Sequence, residues 1–187
     1  MTPIRVDTAA VEPVSVAELR LYLRLDPEDA GVEDDLLATL IAAARASLET
    51  QARRVLVPGR YRLVREGWPP EGWLSVPLSP LVAILRVGWV GADGTATDLP
   101  AGSVRLGPDP VEAPGLQFVG DLPDPGEGRI VVEVAAGFGG DGPPLPAPLR
   151  LAVLRLAAAR YEHRGDEPDD AAAEVERLAA PLRRLRL

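Results

Sequence analysis

The 187-residue sequence contains no cysteine, no lysine and no asparagine, and it has a single histidine. Without cysteine the chain cannot form disulfides, thiolate metal sites or a cysteine nucleophile. The single histidine, His163, argues against a histidine-based metal cluster and a Ser-His-Asp triad. No apolar run approaches the roughly 20 residues that span a bilayer, and no secretory pattern follows Met1. These absences favour a protein of a reducing compartment without a membrane, metal or cofactor partner.

The charge of the chain is acidic overall and unevenly placed. Its 20 basic residues, all arginine, stand against 28 Asp and Glu, which leaves a formal net charge of -8. This balance argues against general binding to the outside of a DNA duplex, because such binding needs a basic face. The C-terminal end is basic, with Arg177, Arg183, Arg184 and Arg186. Such an end is either a solvated terminus or a contact for an acidic partner or nucleic acid.

One glycine-rich segment resembles a phosphate-binding loop. In "AAGFGGDGPPLPAPLR" (135–150) an apolar strand pattern enters the loop and a helical pattern follows it, which is the arrangement of nucleotide-binding turns. No Gly-Lys-Ser/Thr is present, however, and the prolines that follow remove N–H groups that an anion would need. Asp141 adds repulsion. The sequence therefore predicts a structural corner that binds neither nucleotide nor metal.

Helical patterns lie towards both ends of the chain. In "VSVAEL", Ser15 and Glu18 form the S-x-x-E capping box of a first helix. A longer second helix is predicted from about Glu33 to Val55. "PLRLAVLRLAAARYEHR" is apolar almost all round, which is typical of a helix contacted from several sides. "DDAAAEVERLAA" predicts a final helix that ends or kinks at Pro181.

Short strand patterns and turns occupy the middle of the chain. Six strand-like runs lie within 59–138, and Asp93-Gly94 signals a hairpin because glycine supplies the positive φ of such turns. We therefore expect an α+β fold, with N- and C-terminal helices that form a small bundle and an inserted antiparallel β region. The expected domains are 1–58 for the N-terminal helices, 59–138 for the β-rich insertion, and 139–187 for the C-terminal helices and tail.

No set of residues indicates an enzyme. Pairs such as Asp34–Asp35 and Asp169–Asp170 lie at predicted helix starts, which explains them without catalysis. His163 lies at a predicted helix end, where a histidine favours the helix dipole. No nucleophile is paired with a base, so no catalytic residue is expected.

The order of segments resembles a known family. "EPVSVAELRLYLRLD" and "EDDLLATLIAAARASLETQARRVL" are similar to the opening of phage head–tail connector (adaptor) proteins of the gp6-like group. "IVVEVAAGFGGDGPPLPAPLRLAVLRLAAARYEHRGD" and "VERLAAPLRRLRL" are similar to the strand, glycine turn, helix and terminal phrase of that family. The likeness covers both ends of the chain, about half of its length, whereas the middle strands match only in type.

The resemblance implies a non-enzymatic ring component of about twelve subunits beneath the portal of a tailed phage or a phage-derived particle such as a gene transfer agent. Such a ring extends the DNA channel, lets DNA pass without sequence-specific binding, and docks the next tail-side (stopper or connector) protein. It would be assembled in the bacterial cytoplasm. An alternative from another class is a small acidic ligand-binding or regulatory module.

Two surfaces are predicted from this resemblance and from the helix patterns. The C-terminal tail combines apolar and basic side chains beyond Pro181, so it is predicted to bind the portal through Leu182, Arg183, Arg184, Leu185, Arg186 and Leu187. The lateral surfaces of the second and third long helices are predicted to contact neighbouring subunits through Arg45, Leu48, Glu49, Arg53, Arg155 and Arg160.

Overall fold

The structure is a computed structural model that describes residues 1–8, 11–26, 31–163, 173, 176–177 and 179–183. Two compact units make up the chain: a β unit (residues 1–10 and 58–143) and a helical unit (residues 11–57 and 144–187). Within the described residues, no helix has the length and apolar character needed to cross a membrane. The elements in chain order are β1 (Ile4–Arg5), α1 (Val16–Leu23), α2 (Asp34–Ala52), β2 (Gly59–Glu66), β3 (Trp73–Ser75), β4 (Leu81–Val90), β5 (Ala96–Asp98), β6 (Val104–Leu106), β7 (Gly115–Phe118), β8 (Arg129–Ala136), α3 (Ala147–Glu162) and a 3-10 turn (Ala180–Leu182).

The β unit contains two antiparallel sheets. The first has five strands in the order β1-β2-β8-β4-β5, and the second has three in the order β3-β7-β6. Strands β2 and β8 pair along their whole length, from Gly59 opposite Ala136 to Glu66 opposite Arg129. Because side chains alternate between the faces of a strand, every second residue of β8 is buried. Each sheet thus has a buried face that contributes to the core of the unit.

A tryptophan connects the two sheets. The ring of Trp68 meets Trp89 of β4 edge-on at 6.1 Å between centroids, and it tilts against Phe118 of β7 at 5.6 Å. Its indole Nε1 donates a hydrogen bond to the carbonyl of Pro123 at 2.7 Å. Since edge-on and tilted pairs are favoured geometries for aromatic rings, this side chain packs well against both sheets.

The helical unit is built around the apolar face of α2. Leu37, Ile41, Ala44, Leu48 and Ala52 recur every three or four residues, and all five are buried. Helix α3 packs against both α2 and α1. Its buried residues are Leu149, Ala152, Val153, Leu156, Ala157 and Ala158. The first five recur at helical spacing and form one buried stripe, and only Ala158 lies on another side. Contact of α3 from several sides, which its nearly continuous apolar sequence predicted, is therefore not seen among the described residues of the single chain.

The predicted arrangement of the α+β fold is wrong. The chain begins in a strand rather than in a helix, because β1 pairs with β2 through Ile4 opposite Arg62 and Arg5 opposite Tyr61. The helices therefore do not form the two ends of the chain as a bundle, and the strands are not confined to 59–138. The strands also separate into two sheets instead of one inserted region. What the structure supports is a mixed α+β protein.

The predictions of short local features agree with the structure better than the predicted arrangement of the fold does. The capping box of α1 is confirmed, since Ser15 accepts from the Glu18 amide and Glu18 accepts from the Ser15 amide. The hairpin is confirmed as the β4–β5 turn, in which the Gly91 amide donates to the carbonyl of Thr95. Helix α2 ends three residues earlier than predicted, at Ala52. Most of the predicted final helix after residue 168 lies outside the described residues.

Candidate interaction surfaces

The glycine-rich loop is a corner in which three backbone amides already donate to backbone carbonyls. The amide of Gly137 donates to the carbonyl of Pro80 at 2.9 Å, and that of Gly139 donates to Pro143 at 2.8 Å. The Gly142 amide donates back to Gly139 at 2.9 Å. An anion would have to compete with these backbone acceptors for the same N–H groups. The absence of nucleotide binding stays a prediction, and in the described part of the chain no three His, Cys, Asp or Glu residues are grouped as metal ligands.

Arg45 lies at the centre of an ionic network inside the helical unit. Its guanidinium holds both carboxylate oxygens of Glu12, with Nε–Oε2 at 2.7 Å and Nη2–Oε1 at 3.1 Å. Its Nη1 donates to Glu49 at 2.8 Å, and the other oxygen of Glu49 accepts from the Leu56 amide at 2.8 Å. The hydrogen bonds to Glu12 raise the pKa of Arg45 above its ordinary value, despite the opposing effect of burial. Arg45 and Glu49 therefore join two segments of their own subunit to α2.

The other residues predicted at a subunit interface have different environments. Leu48 is fully buried in the core of the helical unit. Arg160 is half-buried and donates from Nη2 to the hydroxyl of Ser47 at 2.8 Å, and Arg155 is also half-buried. Arg53 is the exposed one of the six; it caps α2 in a left-handed conformation with φ 53°. The structure brings Arg45 and Glu49 together, and contact of the six with a second subunit stays a prediction.

The start of the predicted portal-binding tail is held against α2. The side chain of Arg54 is buried, and its Nε donates to the carbonyl of Leu182 at 2.9 Å. Leu182 is half-buried and Arg183 is exposed. The remaining predicted tail residues lie outside the described part: Arg184, Leu185, Arg186 and Leu187. Sequence reasoning missed the role of Arg54, because two adjacent arginines at a helix end give no sign of which one turns inwards.

A cavity of about 250 Å³ lies beside this segment. Its described lining consists of Gln51, Glu176, Ala179, Ala180 and Arg183. The cavity has room for a few side-chain atoms of a partner, and its lining includes two alanines and the charged residues Glu176 and Arg183.

An exposed apolar cluster at the other end of α2 was also missed. Arg20 and Asp34 form an ion pair at 3.2 Å that ties the end of α1 to the start of α2. Four apolar residues lie within two positions of this pair and are exposed: Leu21 (80%), Tyr22 (46%), Val32 (78%) and Leu36 (40%). The alternation of leucines in "LRLYLRL" was the available signal, since an α-helix cannot turn Leu19, Leu21 and Leu23 to one face.

The start of α1 is connected to α3 through charge. The carboxylate of Glu18 pairs with Arg150, and the same guanidinium donates from Nε to the carbonyl of Pro13 at 3.1 Å. The Ser15 amide and then Arg150 lower the pKa of Glu18 to about 2, from an ordinary 4.5. This ion pair fixes the first turn of α1 against the first turn of α3.

Solved structures of gene transfer agent (GTA) particles contain chains similar to this one. A chain in the neck of an empty GTA particle, computed with C6 symmetry, has 30% identity and a TM-score of 0.85. A chain in the virion of a native GTA particle has 31% identity and a TM-score of 0.85. A chain in the neck of a native particle, computed with C12 symmetry, has 30% identity and a TM-score of 0.81.

In each of these comparisons the likeness covers 100% of this chain and 97% of the other. No model of a protein family matches the sequence, and no protein of curated function does either. The likeness to each of these chains therefore includes both the β unit and the helical unit, and it is not limited to one of them. With identity of 30–31% maintained over that length, the chain belongs to the family of neck proteins, the head–tail connectors or adaptors, of phage-derived particles.

Proposed function

We propose that the protein is a structural head–tail connector (adaptor) subunit. Copies of it form a ring of about twelve beneath the portal, extend the DNA channel, and dock the next tail-side protein. The observation that carries this proposal is the full-length likeness to a chain in a neck computed with C12 symmetry. In a ring, each subunit makes two different contacts with its neighbours, and the set closes without a free edge.

The charge of the chain supports passage of DNA rather than binding to it. Because its 28 acidic residues outnumber its 20 arginines, the protein as a whole repels phosphates rather than attracting them. Catalysis is no part of the proposal, because the similar chains are neck components. The tail from Leu182 onwards is proposed as the contact with the portal.

The test is deletion of the gene in a cell that produces the particles, with the wild-type and an empty vector as complementing controls. We expect DNA-filled heads without tails in the deletion, and tailed particles after complementation with the wild-type. An electron cryomicroscopy map of the complemented particles should place the chain in a ring below the portal. Tailed particles at normal yield in the deletion would refute the proposal. A chain that stays monomeric and never joins particles would favour the acidic ligand-binding alternative.

A further inference from the structure

The two ends of α2 differ in charge. We define the acidic end as Asp34 and Asp35, in the first turn of α2, together with the four exposed apolar residues near the Arg20–Asp34 ion pair. The Asp34 carboxylate is 43% exposed even within its ion pair, and Asp35 is exposed. Large apolar side chains on a monomer surface are normally scattered singly. Four of them, each within two sequence positions of Arg20 or Asp34, distinguish this end from the rest of α2. Arg24, two positions after Tyr22, is an exposed cation at the end of α1.

We define the basic end as Arg53, which follows the last turn of α2, together with Arg183 and the 250 Å³ cavity that Arg183 lines. One carboxylate, Glu176, also lines this cavity. The hydrogen bond from Arg54 to the carbonyl of Leu182 holds Arg183 at this end. Both Arg53 and Arg183 are exposed. Because α2 has 19 residues, the two ends are about 28 Å apart at 1.5 Å per residue.

The surface of α2 between the two ends carries little charge. Arg45 and Glu49 are the charged residues between Leu36 and Ala52. Both are paired within the subunit, and their side chains are 14% and 23% exposed. The exposed positions of this stretch are otherwise alanine, threonine and glutamine. The charge available to a partner on α2 is thus confined to its ends, negative at one and positive at the other.

We propose that the acidic end of one copy docks on the basic end of the next copy around the ring. Asp35 then faces Arg53 of the neighbouring copy, and the exposed apolar side chains next to it enter the cavity. Complementary charge sets the partner and the register, and burial of the apolar cluster stabilises the contact. A head-to-tail contact between different surfaces is the kind that closes into a ring. This inference rests on the proposed function for the existence of the ring, and it adds which surfaces meet.

Because the chain has no cysteine, the contact can be tested by site-directed cross-linking. The Asp35→Cys/Arg53→Cys double variant is incorporated into particles, which are treated with a short bis-maleimide and run on a denaturing gel. We expect a ladder of multimers from the double variant and monomers from each single variant. The matched control is Asp121→Cys/Arg105→Cys, a pair of exposed positions in the β unit, which should give no ladder. Monomers alone from the double variant, or dimers from Asp35→Cys by itself, would overturn the proposal.

Charge reversal provides a second, independent readout. Asp35→Arg and Arg53→Glu should each lower the amount of the chain in purified particles by at least about tenfold, the equivalent of one close charge pair. The double variant should recover most of the wild-type amount, because every contact again joins opposite charges. Asp121→Arg is the control for net charge, and thermal unfolding of the purified chains checks that each variant folds. No recovery in the double variant counts against the docking. A wild-type chain that is absent from particles counts against the proposed function instead.

Discussion

At the scale of single residues, several of the described arginines connect segments within the subunit. Arg45 binds Glu12 and Glu49, and Arg54 holds the Leu182 carbonyl. A guanidinium suits this role because its rigid set of donors reaches several acceptors at once. In a chain without lysine, arginine thus supplies both the internal links and the exposed charge of the basic end.

The pair of Glu18 and Arg150 makes stability depend on pH in a defined window. The pKa of Glu18 is lowered to about 2 in the folded chain from 4.5, so protonation favours the unfolded chain. The contribution of Glu18 is therefore present above pH 4.5 and is lost as the pH falls towards 2. Both side chains are nearly half exposed, so solvent screening limits the pair and cap together to about 1 kcal/mol.

We expect Glu18→Gln, which can keep the capping box, to lower the free energy of unfolding at pH 7 by less than about 1 kcal/mol and to flatten its decline between pH 4.5 and 2. Denaturant unfolding at a series of pH values measures both effects. Asp121→Asn removes one exposed loop carboxylate and is the control for net charge. An unchanged slope of stability against pH in Glu18→Gln would contradict the assigned pKa.

At the scale of elements, the predictable features were local and the missed ones depended on distant partners. The capping box of α1 spans four residues, and a hairpin turn is similarly short, so the sequence contains the whole signal. Strand β1 has two residues, and its partner Tyr61 is far along the chain, so no local pattern marks it. Helix α2 ends at a left-handed arginine, a conformation that sequence rules assign to glycine or asparagine.

The residues of the candidate surfaces show the same division between features that depend on local sequence and features that depend on distant partners. The exposed leucines of α1 were readable in principle, because helical periodicity cannot bury every leucine of that segment. The inward turn of Arg45 depends on Glu12, 33 residues earlier, and no periodicity within α2 could indicate it. The full-length family likeness, by contrast, was indicated by the order of segments at both ends of the chain.

In the three-stranded sheet, a tryptophan lies directly over two glycines. A Cβ atom added at Gly115 would be 2.2 Å from the ring of Trp73, and one at Gly107 would be 2.4 Å from it. Neither distance is compatible with the present ring position, so the sheet accepts the indole only because these positions have no side chain. The glycine at the start of β7 therefore leaves room for the ring of Trp73.

We expect Gly115→Ala to destabilise the chain by roughly 1–3 kcal/mol, the usual cost of forcing an extra methyl group into a packed site. Trp73→Ala carries its own cost, but adding Gly115→Ala to it should have almost no further effect. A double-mutant cycle by denaturant unfolding measures this coupling. If the cost of Gly115→Ala is the same with and without Trp73, the ring is not its cause.

At the scale of the whole molecule, the C-terminal segment has two roles that can be separated. Leu182 belongs to the proposed portal contact and also accepts a hydrogen bond from the buried Arg54 within the subunit, whereas residues 184–187 belong to the proposed portal contact alone. Removing everything from Pro181 would take away one acceptor of a buried cation, and loss of a buried hydrogen bond commonly costs about 1–3 kcal/mol. A shorter truncation tests the contact with the portal without that loss of stability.

We therefore expect a chain that ends at Arg183 to fold normally and to fail in particle assembly. Circular dichroism and thermal unfolding should match the wild-type, because the acceptor for Arg54 remains. Particles from cells with this variant should be heads without tails, since a ring of short tails binds the portal through many weak contacts at once. The chain that ends at Ala180 is the matched comparison, and it should unfold at a lower temperature as well. If the chain that ends at Arg183 supports tailed particles at normal yield, the last four residues do not bind the portal, and the lateral surface of α2 becomes the candidate for that contact.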